Sequence, residues 1–235
     1  MYFSYYEVYI TSLRAFTGMG FPYGADEDAA YMISWLELNK LNGVKLLAET
    51  YQNFDNQYEG KMNFNEINAS TIDIKNISLL MKGPGLFDYC EAQLQKSNKF
   101  SVSLTNCIDP YYLLPLMFKS SKKINFCRAF WNVKEKKNVI CETQKNLIQF
   151  GTALNLKIKN KDQVELFFSN ENKKMNNFKD ITNKITLESM QNNLESALSP
   201  ENNDWQIISK IARRTFVPES EESRIKGAGG GDAND

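Results

Sequence analysis

The polar groups best placed for chemistry in this sequence are Asn106, Asp109 and Tyr111, which follow an alternating strand pattern, and the pair Arg213-Arg214 after a late helical stripe. The end of a parallel strand is where open α/β sheets place their ligands, so the first three could converge on a small polar metabolite. Asp109-Pro110 also has a purely structural explanation, as a helix cap followed by proline at the first helical position. Two adjacent guanidinium groups can clamp a carboxylate or phosphate with forked hydrogen bonds, although a helix C-terminus also favours cations without any ligand. Asp88, shortly after Gly83-Pro84-Gly85, is readable either as a base or as a first-turn helix charge.

The chain has 235 residues and no histidine. A Ser-His-Asp triad, a Cys-His dyad, an imidazole base and a histidine-ligated metal are therefore excluded from this polypeptide acting alone. Cys90, Cys107, Cys127 and Cys141 lie 17, 20 and 14 residues apart, with no C-x-x-C pair. Buried, reduced thiols acting as small apolar side chains are expected, and no metal site. The residues name no catalytic group and no cofactor.

Charge is balanced at 28 basic and 28 acidic residues, but unevenly spread. Residues 1–60 carry a net −5, residues 121–186 a net +8 and residues 187–235 a net −4. Of the 28 cations 23 are lysine, which lack the guanidinium fork favoured in phosphate and base recognition, and 26 asparagines accompany them. Nucleic acid is thus not the favoured partner. No apolar run approaches the roughly 20 residues that span a bilayer, and the N-terminus lacks a basic signal-peptide region. A cytoplasmic protein without a membrane partner is the expectation.

Positioning these groups requires a mixed set of elements. Ser4-Tyr5-Tyr6-Glu7 reads as a capping box opening a first helix, and Asp26-Glu27-Asp28 sits where the dipole of a second helix favours carboxylates. A third helix is expected from Val44. Residues 58–70 are polar and aperiodic, a candidate boundary. Gly83-Pro84-Gly85 should punctuate the chain before a helix through Leu86, Cys90 and Leu94. The strand Phe100, Val102, Leu104, a helix over Tyr111–Phe118 and a strand at Ile124, Phe126 and Phe130 then give a parallel crossover. Leu154, Leu156 and Ile158 alternate up to Asn160-Lys161-Asp162, and Val164, Leu166 and Phe168 alternate back, which predicts a β-hairpin with a lysine-bearing wet face. Residues 169–184 read as a flexible loop. A helix through Leu187–Leu198 follows, then a last helix capped by Ser199 with Pro200 at its first position, and a glycine-rich tail, Gly227–Asp232, that should be mobile.

The strings Phe16-Thr17-Gly18-Met19-Gly20-Phe21-Pro22-Tyr23-Gly24, Gly83-Pro84-Gly85-Leu86-Phe87-Asp88 and Arg213-Arg214-Thr215-Phe216-Val217-Pro218 resemble an uncharacterised bacterial family, domain of unknown function 3726. That resemblance implies no activity and no site residue. A weaker one, to the malate/L-lactate dehydrogenase family, rests on the order of elements: helices first, a Gly-Pro-led helix, and a strand ending near Asn106. It implies a nicotinamide-enzyme fold. Where that family has Ser-His-Gly and Asn-His, this chain reads Leu41-Asn42-Gly43 and Asn106-Cys107-Ile108-Asp109. The resemblance therefore implies a non-catalytic relative or altered chemistry.

The expected fold is α+β or α/β, with N-terminal helices over 1–58, an α/β core over 71–218 built on a central strand-helix-strand unit with an antiparallel hairpin and C-terminal helices, and a flexible tail over 219–235. The expected function is binding of a small polar or anionic metabolite through Asn106, Asp109, Tyr111, Arg213 and Arg214, as an accessory subunit beside a catalytic partner. Two alternatives stand beside it. One is a histidine-independent enzyme using Asp, Arg, Tyr or Lys; the other is a homo-oligomeric assembly module joined through the aromatic N-terminus, Tyr2–Tyr9.

Overall fold

The computed structural model describes residues 1–62, 70–133, 137–154, 158 and 162–216. Local signals build the N-terminal helices as expected. Helix α1 (Tyr5–Gly18) opens on the capping box: Ser4 N–H donates to Glu7 Oε2 (2.7 Å) and Glu7 N–H to Ser4 Oγ (3.2 Å). Helix α2 (Ala25–Leu38) begins at the acidic cluster, where buried Asp26 accepts the amides of Gly24 and Glu27 and the Thr17 hydroxyl. Helix α3 (Gly43–Thr50) starts so close to α2 that a Cβ on Gly43 would stand 2.2 Å from the Ile33 carbonyl oxygen. Only glycine allows that approach.

Strand β1 (Thr71–Asp73), helix α4 (Leu79–Lys96) and strand β2 (Lys99–Thr105) form a parallel crossover with β1 beside β2. Gly83-Pro84-Gly85 lies inside α4 rather than before it. Ser78 caps the helix earlier, accepting the Leu80 amide, and the Gly-Pro-Gly string is shaped by packing. A Cβ on Gly83 would meet Leu116 Cδ1 at 2.6 Å, where α4 contacts helix α5 (Leu113–Ser120). After α5 come β3 (Phe126–Val133), β4 (Lys137–Gln144) and β5 (Leu147–Ala153), joined as an antiparallel meander.

The predicted hairpin over residues 154–168 is not formed as drawn. Its return arm is strand β6 (Val164–Ser169), with Val164, Leu166 and Phe168 buried, but β6 lies between β2 and β3 and runs antiparallel to both. Residues 155–157 and 159–161 lie outside the described residues. The predicted loop over 169–184 is corrected too, because Phe178–Thr186 is strand β7, paired to β5. Its sparse apolar content follows from an edge position with most side chains in solvent. Among the described residues the sheet has seven strands in the order β1-β2-β6-β3-β4-β5-β7. Helices α6 (Leu187–Leu194) and α7 (Asn202–Ala212) close the fold, α7 packing on α1 and α3. The α7 cap position is Glu201, not Ser199, so Pro200 precedes the helix. The mixed α/β class is as expected.

One continuous apolar core joins the N-terminal helices to one face of the sheet: Phe16, Trp35 and Leu47 belong to it, as do Leu104, Trp131 and Phe168. The four cysteines are free and buried, and burial pushes their thiols well above the usual range. Among the described residues no helix is long and apolar enough to cross a membrane. The glycine-rich tail lies outside the described residues.

Candidate functional site

Strand β2 ends in a turn whose residues hold neighbouring elements together. Asn106 adopts a left-handed backbone (φ 52°), from which its Nδ2 donates to Asp73 Oδ1 at 2.8 Å and its carbonyl accepts the Asn76 amide at 3.0 Å. It thereby fastens the ends of β1 and β2. The Asn106 amide, and then the Lys75 backbone amide, hold the Asp73 carboxyl below its ordinary range. Cys107 N–H donates to the Asp162 carbonyl at 2.9 Å, which draws the segment leading into β6 against this turn.

Asp109 does not cap the short helical turn that it precedes. Its Oδ1 accepts the Leu79 amide at 3.0 Å and its Oδ2 accepts the Ser78 hydroxyl, so it closes the N-terminus of α4. The carboxyl is half-buried, and desolvation pushes it up to about 6, against these two hydrogen bonds that favour the charged form. Tyr111 is 40% exposed and stands edge-on to Trp131, with ring centroids 5.8 Å apart. Tyr112 is buried, and its phenol is pushed up by the same loss of solvent.

These groups wall a cavity of about 560 Å3, within the range of small-molecule sites. Helix α3 contributes Leu46 and Thr50, the turn contributes Cys107–Tyr112, β3 contributes Trp131–Val133, and Asp162–Val164 closes the remaining side. The cavity thus lies between helix α3 and the sheet. Its described lining is mainly aromatic and aliphatic, with two carboxylates, Asp109 and Asp162, and no lysine or arginine. Trp131 Nε1 is buried without an acceptor among the described residues.

Of the residues singled out from sequence, Asp109 and Tyr111 meet in this cavity. Asn106 stands beside it as a brace and is not part of the lining. Arg213 and Arg214 line neither this cavity nor its neighbour. Arg214 pairs with Asp55 at 2.6 Å, its Cβ close to Gly18 at the end of α1, and Arg213 is exposed. Asp88 is exposed in the middle of α4. Trp131, Thr50 and Asp162 were not readable as site residues: Trp131 sits in an apolar strand that reads as core, and Asp162 in a polar turn.

Residues 3–82 match the family described as "Protein of unknown function (DUF3726)", the resemblance expected from the N-terminal strings. The later strings at 83–88 and 213–218 lie beyond the matched stretch. No curated protein matches the sequence. Among solved structures the chain is similar to a dehydrogenase from Sinorhizobium meliloti, with 8% identity, a TM-score of 0.61, and 90% of this chain and 99% of that one covered. It is also similar to the sulfolactate dehydrogenase of Methanocaldococcus jannaschii, with 9% identity, a TM-score of 0.60, and 91% and 97% covered. A third is the malate dehydrogenase of Pyrococcus horikoshii, with 10% identity, a TM-score of 0.58, and 94% and 97% covered. At such identities the likeness is one of fold.

Proposed function

We propose that this chain is a small-molecule-binding protein of metabolism, working in the cytoplasm beside a catalytic partner, with the cavity at the end of β2 as its ligand site. The observation that carries this reading is the cavity itself: about 560 Å3, lined by Tyr111, Trp131 and Asp109 among others. Several facts support it. The fold is similar to those of a sulfolactate dehydrogenase and a malate dehydrogenase, enzymes whose substrates are small molecules. The sequence contains no imidazole to take a hydroxyl proton, so a binding role asks less of these residues than hydride chemistry does. Buried free thiols fit a reducing compartment. The two carboxylates in the described lining favour a neutral or cationic polar ligand over an anionic one.

The experiment is a thermal-shift screen of organic acids, nucleotides, nicotinamide cofactors, neutral aromatic metabolites and amines, repeated on Tyr111→Ala. A compound at about 100 times its Kd stabilises the folded chain by roughly 2.7 kcal/mol. The reading expects such a shift in the wild type and its loss in the variant. It fails if no class of compound raises the Tm.

A second reading, a histidine-free enzyme, is favoured by one observation. A carboxyl pushed up to about 6 exchanges its proton near neutral pH, as Asp109 would in this cavity. Turnover by the purified chain alone, lost in Asp109→Asn, would select it. The assembly-module reading keeps Met1, Tyr2 and Tyr6 as exposed groups, because Phe3 is stacked on Trp205 with ring centroids 3.9 Å apart and Tyr5 is bonded to Ser34.

A further inference from the structure

A second cavity, of about 310 Å3, lies beside the first. The two share a wall formed by Thr50, Ile108 and Asp109, and Ile108 is 48% exposed upon it. Their chemistries differ. The larger is lined mainly by rings and aliphatic chains, with Thr50, Asn132, Gln163 and the two carboxylates as its polar members. Of the eleven residues around the smaller, seven are polar, including Gln57, Glu59 and Asn76. No lysine or arginine stands in the described lining of either.

Helix α4 begins at this smaller cavity, and a free helix N-terminus would attract an anion. Here its first amides are already taken: Leu79 N–H donates to Asp109 Oδ1 at 3.0 Å and Leu80 N–H to Ser78 Oγ at 3.1 Å. Two carboxylates, Glu59 and Asp109, further oppose a phosphate or carboxylate there. What remains is a wall with acceptors in excess, suited to hydroxyl or amine groups.

We propose that the two cavities are the halves of one site for a bipartite, non-anionic ligand, a flat apolar ring in the larger joined across Ile108 to a hydroxylated or amine-bearing group in the smaller. This rests on the larger cavity being a ligand site and adds the second half of the ligand. Joining two fragments that occupy neighbouring subsites makes the second contact intramolecular, so the joined compound binds more tightly than either piece by roughly a hundredfold, less if the geometry is imperfect.

The test titrates the intrinsic tryptophan fluorescence of the full chain with phenol, glucose, phenyl β-D-glucoside and 2-phenylethylamine. At least one of the two joined compounds is expected to half-saturate at a concentration about tenfold or more below that of phenol, with glucose alone giving no change. Gln57→Ala and Glu59→Ala alter exposed side chains at the smaller cavity and are expected to bring the joined compound back to the phenol value while leaving phenol unchanged. Tyr111→Ala should weaken phenol and the joined compounds together. If phenol binds and neither joined compound gains over it, or if the gain survives in both smaller-cavity variants, the bipartite site is overturned and the ring cavity stands. If neither phenol nor either joined compound binds, the ligand-site reading of the larger cavity falls as well.

Discussion

The two faces of the seven-stranded sheet are made from the same strands and are held by different physics. Toward the helices, Ala129 and Trp131 of β3, Leu166 and Phe168 of β6, and Val102 and Leu104 of β2 enter one continuous core. The intervening residues face the other way, as the two-residue period of a strand requires. There Phe130, Ile140 and Ala153 form a separate small cluster, and beside it Arg128 Nε donates to Glu142 Oε1 at 2.6 Å while Asn177 Nδ2 reaches the same oxygen at 2.9 Å. Glu142 is fully buried, and the Arg128 guanidinium lies 5.3 Å from the Phe126 ring centre and 6.0 Å from that of Phe167. One face relies on close packing, the other on a charge pair shielded by rings. The cavity takes Trp131 and Val164 from the packed face, so part of its wall belongs to the core itself.

The largest effect that would separate the faces is expected from Trp131→Ala. Deleting a fully buried indole from the continuous core should cost about 3–5 kcal/mol in urea unfolding. Phe130→Ala, in the small cluster opposite, should cost less, since fewer buried groups surround it. Equal losses would mean that the two faces are packed alike.

A somewhat smaller effect belongs to the charge pair. Arg128→Ala leaves the Glu142 carboxylate buried and uncompensated, and a loss of about 3 kcal/mol is expected. Replacing both partners with methionine should recover most of it, because removing a buried pair together avoids the stranded charge. A double variant as unstable as Arg128→Ala would show that this face depends on packing after all.

The same division explains what the sequence disclosed. Helices α1 and α2 were legible because their signals are local: a capping box at Ser4 and Glu7, three acids at the start of α2. The sheet order was not. Val164, Leu166 and Phe168 declare a half-buried strand, but alternation carries no information about partners, and those of β6 lie 60 or more residues upstream in β2 and more than 30 in β3. Strand β7 was hidden because an edge strand exposed over most of its length has little apolar signature. At the site, Asp109 and Tyr111 could be found from their place after β2, whereas Trp131 joins them only through the insertion of β6 between β2 and β3. Arg213 and Arg214 were attractive as chemistry, but α7 carries them to α1, where Asp55 holds Arg214.

The smallest effect is expected at Asp109, a half-buried carboxyl that lines the cavity together with Trp131 and Val164 of the packed face, and it sharpens the comparison because it reads electrostatics where packing dominates. Burial pushes it up to about 6 in the folded chain, whereas in the unfolded chain it returns to about 4. The folded chain therefore holds this proton more tightly. Its contribution to stability is complete below about pH 4 and is lost as pH rises through about 6. Relative to Asp109→Asn, which keeps an acceptor for the Leu79 amide, the wild type should lose roughly 2 kcal/mol between about pH 4 and pH 7. The carboxyls of Glu7, Asp73 and Glu171, held low by their hydrogen bonds, slope the other way in both proteins and cancel in the difference. Urea unfolding of the two proteins across that range measures it. A difference independent of pH, or one that moves in favour of the wild type as pH rises, would mean that burial beside the packed face does not penalise the Asp109 carboxylate, and the contrast between the faces would lose its electrostatic half.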